Sequence, residues 1–156
     1  MTKAKMPVEI RTLDAADEAA WRELWTAYLT FYGTTVPEEV YKTTFARLTD
    51  RADESMGCFL AISDDEPIGL VNFIFHAHCW RPEGICYLQD LYAVPEARGF
   101  GVGRALIEAV YAHADACGVP GVYWMTQDFN ETARTLYDRV GSPTPFIKYE
   151  RPKDAA

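Results

Sequence analysis

Basic residues are scarce in this 156-residue sequence: fifteen lysines and arginines face twenty-three aspartates and glutamates, a formal net charge of −8. A surface of that sign does not neutralise a phosphate backbone, which excludes a nucleic-acid binder but suits a small cationic partner. Long apolar runs are also missing, and none approaches the roughly 18 residues of a membrane span, so no membrane partner is expected. Two lysines near the N-terminus have no apolar stretch behind them, so no secretory signal is expected. The four cysteines, at 58, 79, 86 and 117, include no C-x-x-C pair, which removes a zinc knuckle and a dithiol redox motif. Free thiols in a reducing compartment are expected, hence a cytoplasmic location. What is present suits one folded domain over residues 1–156, with 49% apolar residues and 13% aromatics. Frayed tails are expected at 1–6 and 153–156.

Apolar periodicity sets out the elements. A short strand is predicted over 8–12, with Asp14 as a following N-cap. Trp21, Leu24, Trp25, Tyr28, Leu29 and Tyr32 recur at helical spacing up to Gly33. Pro37 opens a second predicted helix that stops near Asp50. Strands are predicted over 57–63 and 68–75, joined by a turn at 64–67. A loop at 80–84 leads to a strand over 85–94. A long helix over 103–117 follows, then a strand over 122–126, a helix from 130 or 131 to 140, and a last strand over 146–150. Antiparallel strands followed by strand–helix–strand crossovers predict an α/β fold, a mixed sheet with helices on both faces.

The segment with the most chemistry is Arg98-Gly99-Phe100-Gly101-Val102-Gly103-Arg104, between a strand and a helix. Alternating glycines let the backbone turn tightly and point N–H groups into one concavity, and a helix N-terminus behind them adds donors and a positive dipole end. This pattern suits a diphosphate, with Arg98 and Arg104 adding charge. A Walker loop needs Gly-Lys-Ser/Thr, and a dinucleotide fingerprint needs G-x-G-x-x-G; neither is present. The coenzyme A loop Q/R-x-x-G-x-G/A matches in full. A second motif follows a short apolar strand: Asn130, Ala133 and Tyr137 at i, i+3 and i+7 share a helix face that offers an amide, a small residue and a phenol. Taken alone, Tyr137 reads as readily as core packing beside Leu136.

With both motifs in place the sequence resembles the GNAT N-acetyltransferase superfamily over essentially its whole length. Asn72-Phe73, Gln89-Asp90-Leu91-Tyr92, Val122-Tyr123-Trp124 and Leu136-Tyr137 are similar to the branch with yeast histone/polyamine-type acetyltransferases, and the diamine acetyltransferases look close through Arg98 to Gly101. The resemblance implies a mostly antiparallel mixed sheet with a V-shaped splay between two central parallel strands, where acetyl-CoA lies. Its diphosphate would sit on the amides of Gly99, Phe100, Gly101, Val102, Gly103 and Arg104. Its pantetheine would pair with Leu91, Tyr92, Ala93 and Val94, with Asn130 and Ala133 lining the far side. Tyr137 matches the family's general-acid tyrosine, which protonates the departing thiolate. The implied reaction is direct attack of a primary amine, a polyamine or other small cationic amine, on the thioester in a ternary complex. A protein lysine or N-terminus as acceptor, or a non-catalytic coenzyme-sensing domain, are the alternatives. Related proteins often dimerise, sometimes by sharing the last strand, and Pro143 and Pro145 before that strand suit an arm of a homodimer.

The acceptor ammonium must lose a proton before it can attack. Diamine enzymes carry Glu before Asp on the central strand, whereas this sequence has Gln89 before Asp90. Asp90 is thus a candidate base through a water, or equally a structural acceptor; strict alternation places it on the face opposite Gln89. The acceptor side is expected between the first two helices and the loop after Phe75. Tyr28, Phe31, Tyr32 and Tyr41 read as an aromatic wall or as helix packing, and Gln89 is a candidate substrate contact. Eight acids against three bases between Glu38 and Glu66 read as an acidic rim or as an ordinary solvated surface. His76 and His78 lie on one strand face with no visible partner cluster, so no metal is expected; His78 is a candidate acceptor-side residue and base.

Overall fold

The computed structural model describes residues 7–153. Most of the expected tail residues therefore lie outside the described part. Backbone contacts divide the chain into two units, Met1–Met125 and Thr126–Ala156.

The first unit holds one five-stranded sheet, β1 (Glu9–Thr12), β2 (Met56–Ser63), β3 (Glu66–His78), β4 (Arg81–Ala93) and β5 (Val122–Tyr123), in sequential order. The first four strands run antiparallel and β5 lies parallel to β4. The expected mixed sheet is therefore present.

Two helices, α1 (Glu18–Phe31) and α2 (Glu38–Leu48), cover one face. Their stripes, Trp21, Trp25, Leu29, Phe45 and Leu48, pack with Cys58, Leu60, Ile62 and Leu70 from the sheet. Full burial of each large apolar side chain contributes about 1.5–3 kcal/mol. A third helix, α3 (Val102–Ala116), covers the other face with Leu106, Ile107 and Val110 buried, and Gly69 lets it approach closely. A Cβ at Gly69 would stand 2.8 Å from the Tyr92 carbonyl oxygen and 3.1 Å from Val102. The second unit holds α4 (Glu131–Val140), capped by the Asn130 side chain on the Ala133 N–H.

Several boundaries differ from the sequence reading, each for a physical reason. Asp14 caps a short 3-10 turn, Ala15–Asp17, that precedes α1. Pro37 is the N-cap of α2 and lies just outside the helix. The expected loop at 80–84 is instead the start of β4. Gly84 takes φ +84, which lets the strand pass where a Cβ would meet the His76 carbonyl at 2.7 Å, so β3 and β4 pair beyond the expected loop. β5 is shorter than 122–126, because it pairs with β4 only at Val122 and Tyr123. The last strand at 146–150 is not formed. Pro143 and Pro145 have no N–H to donate, and a lone extended segment has no ladder to join.

Candidate active site

The glycine loop joins β4 to α3. After Ala93 the chain makes a 3-10 turn, Pro95–Ala97, and then passes through Gly99 and Gly101 at φ +86 and +84. Those backbone angles are strained for any side-chain-bearing residue. Gly101 is also the N-cap of α3, no side chain caps the helix, and a Cβ there would meet nothing within 4 Å. The opening N–H groups of α3, at Val102, Gly103 and Arg104, have no intrahelical acceptor and lie where the helix dipole is positive. Gly103 thus contributes from the first helical turn and not from the loop. The cradle is made of backbone and fits a diphosphate. Arg104 stands beside it in an exposed i,i+4 pair with Glu108 at 2.9 Å. Arg98 donates to the Ala93 carbonyl and holds its guanidinium 5.9 Å from the ring centroids of both Phe31 and Tyr92.

The strand before the loop offers an open edge. Leu91, Tyr92 and Ala93 pair with β3, and the Val94 N–H donates to Ile68. On the other side β5 reaches only Cys86 and Tyr87. From Leu88 to Ala93, no strand among the described residues occupies that edge of the sheet. β4 thus continues past the end of its parallel neighbour with one edge unpaired by any described strand.

Gln89 forms a bulge that strict alternation cannot anticipate. Asn72 stands opposite Asp90, but the next partner of β3, Phe73, stands opposite Leu88, leaving Gln89 without a counterpart. The extra residue resets the faces of β4. Asp90 turns inward under α1, and Tyr87 joins it on the α1 side, since Tyr28 of α1 senses both. Asp90 Oδ2 accepts from Trp25 Nε1 at 3.1 Å and Asn72 Nδ2 at 3.0 Å, while Asn72 Oδ1 accepts from Trp21 Nε1 at 3.4 Å. The Tyr28 phenol lies within the field of this carboxylate. Burial first, then the Asp90 charge, push its ionisation far above the ordinary tyrosine range. Asp90 is thus a buried acceptor whose Oδ2 is held by two donors, and Gln89 is exposed.

Of the expected aromatic wall, Tyr28 and Tyr32 lie with ring centroids 5.0 Å apart and planes tilted by 56°, and the Tyr32 phenol is likewise raised by burial and by Asp90. Phe31 is exposed beside Arg98. Tyr41 instead packs edge-on against Trp25 at 5.3 Å and reaches the Thr26 hydroxyl. The acids between Glu38 and Glu66 do not gather into one rim: Glu38 pairs with Arg22, while Asp50 and Asp53 cap their own turns. Asp64 and Asp65 form the left-handed turn between β2 and β3.

His78 accepts from the Trp80 N–H at the tip of the β3–β4 hairpin, 3.1 Å away. His76 reaches the Tyr123 hydroxyl at 2.8 Å, a pairing the sequence reading missed because it links positions 47 apart. No group of metal-ligating side chains occurs among the described residues. In the second unit, Asn130, Ala133 and half-buried Tyr137 share the face of α4 that their spacing predicted.

The fold and loop define an acyl-transferring protein of the acetyl-CoA class, and comparison with known proteins agrees. The chain belongs to the acetyltransferase (GNAT) family, whose pattern it matches over residues 19–141. It is 38% identical over 145 residues to the D-amino-acid N-acetyltransferase HPA3 of Saccharomyces cerevisiae, covering 92% of this chain and 90% of that protein. Its fold is similar to that of the aminoglycoside acetyltransferase AAC(6')-Iy bound to a bisubstrate analogue, at TM-score 0.82 and 16% identity, over 94% of this chain and 99% of that one. The same enzyme with CoA gives TM-score 0.81 at 16% identity, over 98% and 99%. The chain is accordingly an N-acetyltransferase with acetyl-CoA as cosubstrate.

Proposed function

We propose that this enzyme transfers acetyl from acetyl-CoA to the primary amine of a small acceptor, a polyamine or another small cationic amine, by direct attack in a ternary complex. The observation that carries the reading is the open edge of β4 from Leu88 to Ala93 leading into the uncapped start of α3. Amides of Gly99 to Arg104 hold the diphosphate, and Leu91 to Val94 hold the extended arm as an added strand. A main-chain N–H near Leu91 or Tyr92 polarises the thioester carbonyl as charge develops on it. The family resemblance assigns Asn130 and Ala133 to cofactor contacts and Tyr137 to protonation of the departing sulfur. On the acceptor side, Tyr28 and Tyr32 supply aromatic faces for a cation, with the Asp90 charge behind them.

The printed name of the yeast relative puts amino acids beside polyamines as acceptors to try. The test is release of free thiol from acetyl-CoA across a panel of polyamines, amino acids, aminoglycosides and lysine peptides. Thiol release driven by one small-amine class supports the reading. Release only with peptides would move the acceptor to a protein lysine or N-terminus, and none with any amine would leave a coenzyme-binding sensor. Tyr137→Phe should lower kcat at least tenfold with acetyl-CoA affinity held within about twofold. Unchanged turnover removes Tyr137 from the chemistry.

We also propose that the chain works as one domain and as a homodimer in the cytoplasm. Supporting the dimer, Phe146, Ile147 and Tyr149 are 84%, 77% and 87% exposed on a segment with no ladder, the state of a strand awaiting a second copy. Phe146→Glu with Ile147→Glu should convert a dimer to a monomer by light scattering; a wild-type monomer at micromolar concentration refutes the idea. All four cysteines are unpaired, as a reducing compartment requires.

A further inference from the structure

An ammonium acceptor needs a proton acceptor, and the positions expected to supply one do not. Gln89 is an amide, and Asp90 is buried with its Oδ2 held by the donors of Trp25 and Asn72. The end of β5 carries another arrangement. Tyr123 and Tyr87 form the last pair between β5 and β4, and their rings stack at 4.7 Å. His76 of β3 sends Nε2 to the Tyr123 hydroxyl at 2.8 Å and Nδ1 to the Ala77 carbonyl at 2.8 Å. A carbonyl only accepts, so Nδ1 carries the proton; Nε2 is left with the lone pair, and the phenol donates to it.

The pair lies on the α1 face of the sheet, the face that carries Tyr28 and Tyr32. Phe73 and Phe75 ring-contact His113 of α3, so the alternate residues Asn72, Ile74 and His76 point to the opposite face, where Asn72 meets Trp21 of α1. Trp124 contacts Tyr111 of α3, which leaves Tyr123 on the α1 face. Burial raises the Tyr123 phenol above its ordinary range, so it remains a donor at neutral pH. The other ionisable groups around the pair are Tyr87 and Cys86 on β4 and Arg81, whose guanidinium lies against Gly121 ahead of β5, with Tyr28 on α1 beyond Tyr87.

We propose that Tyr123 and His76 form the proton relay of the acetyl transfer, with Tyr123 touching the acceptor nitrogen and His76 acting through it. The proposal rests on the primary-amine reading. A proton of the acceptor ammonium passes to Tyr123 Oη as the hydroxyl proton passes to His76 Nε2, restoring the phenol and leaving a neutral amine. The amine lone pair then forms the C–N bond. The C–S bond breaks with its electron pair on sulfur, which takes the Tyr137 proton, the second nitrogen proton restores the Tyr137 phenol, and the imidazolium proton is released to solvent. One proton leaves per turnover. Tyr123 is the catalytic residue of the two, and His76 orients the hydroxyl and stores the proton.

The test is the pH profile of kcat/KM for wild type, His76→Gln and Tyr123→Phe with the best acceptor of the panel. Glutamine keeps an acceptor for the phenol but cannot take the proton. For His76→Gln we expect a loss of about 100-fold at pH 7, with the rate then climbing about tenfold per pH unit toward the amine's own ionisation. An acceptor analogue whose amine is already neutral at pH 7 should restore the variant to within a few-fold of wild type, which a merely structural lesion would not allow. Calorimetric acetyl-CoA affinity within twofold of wild type checks the fold. A His76→Gln profile of the same height and shape as wild type overturns the relay alone. A wild type that releases no thiol with any amine overturns the primary-amine reading and the relay with it.

Discussion

The indole N–H of Trp25 on α1 donates to Oδ2 of Asp90 on β4 at 3.1 Å, joining positions 65 apart in sequence. This bond locks the first helix to the bulged strand. It also uses the oxygen that Asn72 shares at 3.0 Å. A buried carboxylate with such donors is costly to disturb, since each stranded donor pays its full desolvation. Asp90→Asn should therefore lower unfolding stability by about 1–2 kcal/mol and Asp90→Ala by about 3 kcal/mol in urea titrations. If Asp90 served instead as the base, Asp90→Asn would lose turnover while keeping its stability.

Alkali should destabilise the enzyme through buried phenols and a thiol. Tyr28 is held well above the ordinary tyrosine range by burial and by Asp90, and burial raises Tyr111, Tyr123 and Cys58 in the same direction. The folded chain keeps these protons while the unfolded chain releases them. Their stability is complete below the unfolded values and is lost as pH rises through the folded ones. The urea midpoint should fall from about pH 9 to pH 11, and Tyr28→Phe should fall less steeply. A flat wild-type midpoint across that range contradicts the burial of these groups.

Gly101 tests the cradle. Its φ of +84 costs a side-chain-bearing residue about 1–2 kcal/mol, while nothing lies within 4 Å of an added Cβ. Gly101→Ala should therefore weaken acetyl-CoA binding about tenfold by calorimetry through a reshaped loop. Tight binding in this variant would place the diphosphate elsewhere.

Gly69 tests the packing of α3. An alanine Cβ would press on the Tyr92 backbone oxygen at 2.8 Å and on Leu106 at 3.2 Å. Overpacking against backbone should cost about 1–3 kcal/mol. Equilibrium unfolding of Gly69→Ala measures it, and an unchanged midpoint would mean that α3 sits farther from the sheet.

Local chemistry made much of this legible. The Trp21–Tyr32 stripe places α1, the glycines before Val102 place the loop and the start of α3, and Asn130 caps α4 as its position suggested. Long-range pairing was less legible. Pro82 and Gly84 read as loop punctuation, yet β3 and β4 continue pairing around them. The segment after Pro145 has strand-like alternation but no partner in the described chain. Among the acids between Glu38 and Glu66, which look like a rim in a count, Glu38 is held in an ion pair and Asp50 and Asp53 are turn caps.

Sequence alone determined the family, the glycine loop that opens α3 and the place of a phenol on α4, because each depends on residues within one turn or one loop of each other. Tertiary structure decided which groups are free to act. A single extra residue at Gln89 turned Asp90 inward beneath Trp25 and Asn72, and the short pairing of β5 left the β4 edge open beyond Tyr87. The sheet also brought His76 to Tyr123. Strand register and bulges are set by how whole faces pack, so no local spacing encodes them.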